Sequence, residues 1–170
     1  MPTNLELKAV ISSPVTAERV ARRLRARRIG LLRQVDTYYR IPRARLKVRE
    51  INGTRAELIY YARANSVSSR YSDYLIVKFP DAQTLKKLCS SLFAIRVVVR
   101  KRRVLYFYQN ARIHIDSVHG LGTFLEFEVL VTRGKPQARK LMKRLTEAFG
   151  IRKASIVGES YSDLLERKKR

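Results

Sequence analysis

The chain has 170 residues, 37 of them Lys or Arg against 14 Asp or Glu, for a formal charge of +23. That length suits one compact domain, and 45% hydrophobic residues are enough for a real core. Cys89 is the only cysteine, which excludes an internal disulfide, and the longest apolar runs are too short to span a bilayer. With no basic-then-apolar leader layout either, the expectation is a soluble cytoplasmic protein whose charge favours anionic partners.

Residues 5–10 alternate strictly between apolar and polar and predict a first strand. Ser13–Pro14 then offers a cap and a first-turn proline for a helix that continues through Val20 and Leu24, with Gly30 able to end it. The outer face of that helix is crowded with Arg19, Arg22, Arg23, Arg25, Arg27 and Arg28. Strands are predicted over 32–41, 44–51, 55–63 and 72–79, with Asn52–Gly53 marking a hairpin between the second and third of these. Asp81 caps a helix carrying Leu85, Leu88, Cys89 and Leu92, in which Cys89 reads as a buried structural thiol. Three more strands follow over 97–109, 111–118 and 123–132, and Lys135–Pro136 opens a further helix closed by Gly150. The segment through Ser160–Tyr161–Ser162–Asp163 leads into a short basic tail at 166–170. No repeat or linker divides the chain, so residues 1–170 read as a single domain. About eight hairpin-connected strands with helices between runs give an α+β fold, a closed eight-stranded antiparallel β-barrel with peripheral helices.

The polar positions of these strands are unusual. Asn4, Glu6 and Lys8 share one face of the first strand, and Arg45, Lys47 and Arg49 share a face later. Glu57, Ile59, Tyr61 and Arg63 fall together, as do Lys101 and Arg103, then Arg112, His114 and Asp116, then Glu126 and Glu128. Such faces point either to water or into a barrel lumen, and an eight-stranded barrel can hold one small ligand. Lys and Arg at alternate positions stand ~7 Å apart, a spacing suited to a chain of phosphates. Clustered carboxylates would repel that ligand unless a hard cation such as Mg²⁺ or Mn²⁺ lies between them. Mixed-sign walls therefore imply a polyphosphate together with a metal.

The residues also resemble a known pattern. Asn4–Leu5–Glu6–Leu7–Lys8 looks like the E-x-E-x-K signature of the CYTH superfamily, the triphosphate tunnel metalloenzymes, in its class IV adenylyl cyclase-like branch. Leu46–Lys47–Val48–Arg49–Glu50, Arg112–Ile113–His114–Ile115–Asp116, Phe124–Leu125–Glu126–Phe127–Glu128 and Ser160–Tyr161–Ser162–Asp163 continue the match in order along nearly the whole chain. The resemblance implies an eight-stranded tunnel and a divalent cation, Mg²⁺ or Mn²⁺. It implies Glu6, Asp116, Glu126 and Glu128 as metal-side carboxylates, with Glu6, Glu126 and Glu128 catalytic. Lys8, Lys47, Arg49, Arg63, Lys101, Arg103 and Arg112 are then the phosphate ligands. Asn4 departs from the pattern, because the first acid of the signature is an amide here. That weakens one oxygen ligand and puts a second metal in doubt, unless Asn4 is a plain strand-edge residue.

Three functions follow as expectations. The first is hydrolysis of a triphosphate (tripolyphosphate, a nucleoside triphosphate or thiamine triphosphate). The second is a class IV-type adenylyl cyclase, which also needs an adenine pocket that no motif marks. The third is a non-catalytic binder of polyphosphate or RNA. The proposed lumen is nearly neutral, so the positive excess lies outside it, where nucleic acid or polyphosphate could bind or where the basic coat has no partner. A homodimer is a further possible arrangement. His114 reads as a hydrogen-bonded wall residue, His119 as a loop residue, and Asp36 and Glu57 as partners of lumen arginines. Tyr38, Tyr61 and Tyr161 either reach ligand or pack.

Overall fold

The computed structural model describes residues 3–62 and 70–169. The period-2 segments become β1 (Thr3–Val10), β2 (Arg27–Tyr39), β3 (Arg45–Ile51), β4 (Arg55–Ala62), β5 (Arg70–Phe79), β6 (Ile95–Tyr108), β7 (Ala111–Val118) and β8 (Gly122–Leu130). All neighbours pair antiparallel and the sheet closes on itself in the order β1-β5-β4-β3-β2-β6-β7-β8. Asn52 and Gly53 turn the β3–β4 hairpin with φ of 53° and 72°, the left-handed pair that this tight turn requires. The β1–β8 pairing, from Asn4↔Leu130 to Val10↔Phe124, completes the barrel.

Four α-helices decorate the barrel: α1 (Pro14–Arg23), α2 (Ala82–Leu92), α3 (Lys135–Ala148) and α4 (Tyr161–Lys169). The first is shorter than the sequence predicts. Arg25, at φ 57°, takes the left-handed position after the helix, while the Arg25 and Ala26 amides close back on the Arg22 and Ala21 carbonyls. This is the usual helix-ending motif with arginine where glycine is common, so nothing in the composition announces it. Gly30 consequently lies inside β2, beside a bulge in the β2–β6 register, and Arg27 and Arg28 belong to a strand. Within the basic tail expected at 166–170, residues 166–169 form the end of a helix that spans 161–169. Ser160 and Asp163 cap this helix reciprocally, each side chain accepting from the other's backbone amide.

The apolar faces turn outward, toward helices. Leu5, Leu7, Ile113, Leu125 and Phe127 pack beneath α1 and α3, joined by Ala17, Ala21 and Leu145. Tyr39, Val48 and Ala56 pack beneath Leu85 and Cys89 of α2, where the thiol is buried as expected. With the outer faces serving as core, the opposite faces are forced inward. Among the described residues no helix is long and apolar enough to cross a membrane.

Candidate active site in the tunnel

β6 decides which face is inside. Lys101 and Arg103 are 6% and 3% exposed, whereas Arg100 and Arg102, one residue along, are exposed. The charged faces thus line a lumen. A cavity of about 690 Å³, counting its solvent-open mouth, is bordered by Glu6, Lys8, Lys47, Arg49, Lys101, Arg103, Arg112, Glu126 and Glu128. Nine of the eleven residues singled out by sequence therefore meet in one space. Arg63 lies outside the described residues.

One wall is basic and is organised around a single acid. Asp36, on β2, stands opposite Arg49 in the β2–β3 ladder. Arg49 donates to both of its oxygens at 2.8 and 2.9 Å, and Lys47 and Lys101 reach the same carboxylate at 2.9 and 3.3 Å. Burial would raise the Asp36 pKa, but Arg49, Lys101 and Lys47 together hold it well below the usual carboxylate range. Three cations sharing one anion retain charge to offer. Burial, followed by the nearby Arg103, presses Lys101 down to about 7 in spite of Asp36. The expected pairing of Asp36 with lumen cations is thus realised.

The other wall is acidic and is laid out in rungs. Across β1, β8 and β7, Glu6 faces Glu128 and Glu128 faces Arg112, while Lys8 faces Glu126 and Glu126 faces His114. Arg112 reaches Glu128 at 3.3 Å, and Arg103 donates to Glu126 at 2.8 Å. Burial opposes ionisation of Glu126, yet the His114 imidazole and the charges of Arg103 and Lys8 hold it well below its ordinary value. Glu128 is lowered too, against its burial, chiefly by His114. His114 Nδ1 lies 3.5 Å from Glu126 Oε2 and 3.8 Å from Glu128 Oε1, and it has no hydrogen-bond partner. At 3.5 Å the contact with Glu126 is long for the hydrogen bond expected of a wall residue. Asn4 borders the cavity at 3% exposure with its Oδ1 lacking any donor.

Asp116, expected beside the metal, stands apart. It is fully buried, does not border the cavity, and has both oxygens taken by Arg103 at 2.7 and 2.6 Å and one also by the Tyr161 hydroxyl at 2.9 Å. Its place is behind Arg103, fixing that guanidinium where it meets Glu126.

The start of α4 closes one end of the lumen. Tyr161 packs edge-on against Phe124 at 5.0 Å between ring centres, and Lys8 sits 4.2 Å from the Tyr161 ring while donating to the Glu159 carbonyl at 2.7 Å. Burial, reinforced by Asp116 and Glu126, raises the Tyr161 pKa well above normal, so the phenol stays a donor. Arg45 and Arg96 clamp α4 to the barrel through Asp163 at 2.8 and 2.7 Å. Sequence reasoning noticed Tyr161 without seeing this plug, although the Ser160-x-x-Asp163 spacing was a usable helix-start signal. It also gave no site role to Ser72, Tyr74 and Ile76, which border the cavity from β5 beside Ile59 and Tyr61 of β4. Their alternation was readable, but it carried no charge to draw notice. Asp73 accepts from Thr3 at 2.6 Å, and His119 lies exposed in the β7–β8 turn as expected.

Comparison with known proteins agrees with this architecture. The CYTH domain family matches residues 2–161. A curated protein of Methanocaldococcus jannaschii, provisionally named an adenylate cyclase, is 29% identical over 99 residues. That alignment spans 56% of this chain and 57% of the relative, so the chain covers little more than half of that protein's length. Among solved structures, a Pyrococcus horikoshii protein superposes with a TM-score of 0.86 at 24% identity, over 95% of this chain and 98% of its own. A Hippeastrum protein, provisionally named an adenylyl cyclase and titled as revealing a dominant triphosphatase activity, superposes at 0.70 with 14% identity, over 100% and 97%. At these identities the solved structures carry the fold alone. With the family matched over nearly the whole chain and the closed tunnel formed around the expected charges, the protein belongs to the CYTH domain family.

Proposed function

We propose that this protein is a divalent-metal-dependent hydrolase of a triphosphate held in the tunnel, with tripolyphosphate, a nucleoside triphosphate or thiamine triphosphate as substrate. The observation that carries the reading is the division of one cavity into two walls. Lys47, Arg49 and Lys101 gather on Asp36, while Glu6, Glu126 and Glu128 gather across the lumen.

Phosphoryl transfer asks the protein mainly to position groups and to neutralise charge. Lys47 and Lys101 offer point charges and Arg49 a planar fork for phosphate oxygens, and Asp36 keeps all three aimed before ligand arrives. Arg103 orients Glu126 and Arg112 orients Glu128, while His114 helps to keep both ionised. The acidic wall fits a cation: Glu6 and Glu128 directly oppose each other, and the Asn4 carbonyl is a buried acceptor without a donor. Glu6, Glu126 and Glu128 would hold Mg²⁺ or Mn²⁺, which when bound offsets phosphate charge and acidifies a water. Asp116 is assigned to the support of Arg103 rather than to the metal.

The test is incubation with either ion and each triphosphate, following orthophosphate, pyrophosphate and cyclic AMP. Orthophosphate release that Glu126→Gln abolishes is the expected outcome. Pyrophosphate with cyclic AMP would instead establish the cyclase reading. That alternative is favoured by one feature, the apolar lining of Ile59, Tyr61, Tyr74 and Ile76, a surface suited to a nucleobase. Salt-sensitive polyanion binding with no turnover would leave a binder acting through its exposed arginines, among which Arg33 and Arg102 oppose each other on the outer sheet.

A further inference from the structure

The long contacts of His114 with two carboxylates call for an explanation. β7 alternates Arg112, His114 and Asp116 into the barrel, and the β7–β8 register sets His114 opposite Glu126. The His114 side chain is 4% exposed. An imidazole nitrogen hydrogen-bonded to a carboxylate lies ~2.7–3.2 Å from it. Here the nearest oxygens stay 3.5 and 3.8 Å from Nδ1, and that nitrogen has no hydrogen bond. A buried polar atom left without a partner calls for an explanation, and a bound ion is one of the few available.

The spacing suits an ion. Two ligands each ~2.1 Å from a tetrahedral metal lie roughly 3.4 Å from one another. Donor atoms of His114, Glu126 and Glu128 all fall within 4.8 Å of each other, so a modest side-chain contraction would bring them onto one cation. Asn4 Oδ1, another buried acceptor without a donor, borders the same cavity as Glu126 and Glu128. A site that joins an imidazole to two carboxylates has a different chemistry from one of oxygen ligands alone. Mg²⁺ demands oxygen ligands, whereas imidazole favours first-row ions.

We propose that His114 is a metal ligand completing a His114–Glu126–Glu128 site, and that this nitrogen makes the tunnel selective for Mn²⁺, Co²⁺ or Zn²⁺ over Mg²⁺. The inference rests on the tunnel reading above, but its test needs no turnover. Untagged protein is titrated calorimetrically with Mn²⁺, Zn²⁺ and Mg²⁺ without substrate, and the Mn²⁺ form is examined by pulsed electron paramagnetic resonance for ¹⁴N coupling. The expected result is binding of Mn²⁺ and Zn²⁺ at least about tenfold tighter than Mg²⁺, with an imidazole nitrogen coupled to Mn²⁺. His114→Gln should remove both the coupling and the preference, and His119→Gln should leave both unchanged. Absence of coupling in the wild-type protein overturns the proposal, whatever becomes of the variants. So does a preference that survives in a folded His114→Gln protein. Coupling without phosphate release would sink the hydrolase reading alone, and Mg²⁺-supported release without coupling would sink this one alone.

Discussion

The two walls of the tunnel solve the problem of buried charge in opposite ways. On β2, β3 and β6 the acid is in the minority, and Asp36 is saturated by Lys47, Arg49 and Lys101. On β1, β7 and β8 the acids are in the majority, and Glu126 and Glu128 share Arg103, Arg112 and the imidazole of His114. Isolated charges in a buried site are costly unless paired. A wall with surplus cations is therefore completed by an anion, and a wall with surplus carboxylates by a cation. A metal–triphosphate complex supplies both at once, which is why the walls are read together.

Removing Asp36 should break this contrast most severely. Asp36→Asn leaves three buried cations without their common anion, at a cost of about 3–5 kcal/mol of folding stability. Added tripolyphosphate should restore much of the lost melting temperature, and thermal denaturation with and without it checks this. Next in size is Glu128→Gln, expected to lower kcat by roughly 10²–10³-fold, the scale of one lost electrostatic contact in a transition state. Metal-free tripolyphosphate should bind that variant at least as well as the wild type, since a repelling charge has gone. Weakened metal-free binding would mean that the walls are not divided as described.

A smaller effect follows from pH. In the empty tunnel Lys101 loses its proton near 7, whereas a lysine in the unfolded chain keeps it to ~10.4. Between those values the unfolded chain binds the extra proton, so the stability contribution of this group rises with pH. Phosphate affinity runs the other way, because the ligand needs the ammonium. Metal-free binding should weaken above pH about 7, approaching tenfold per unit, and Lys101→Met should flatten the profile. Calorimetry from pH 6 to 9 reads it directly. The mildest change is Tyr161→Phe, which deletes the 2.9 Å hydrogen bond to Asp116 while keeping the ring. A loss of about 0.5–1.5 kcal/mol in denaturant melts is expected, with the acidic wall affected more than the basic one.

Much of this was legible in the chain. Asn52–Gly53 announced its hairpin, Asp81 and Pro14 announced their helices, and alternation placed Lys101 with Arg103 and Glu126 with Glu128 on single faces. These are local signals, set by turn geometry and by the two-residue strand period. The early end of α1 escaped because Arg25 occupies a position usually marked by glycine. The end of α4 was read as a basic tail because the Ser160–Asp163 cap was not taken as a helix start.

What the sequence by itself determined was which residues share a face. Only closure of the barrel decided that the charged face is the inner one, because period alone cannot say which side helices will cover. Register then did the rest. It set Asp36 opposite Arg49 and within reach of Lys47 and Lys101, withdrew Asp116 behind Arg103, and brought His114 up to Glu126 and Glu128. Those neighbours come from strands up to 65 residues apart in the chain, and only the paired sheet sets such distances.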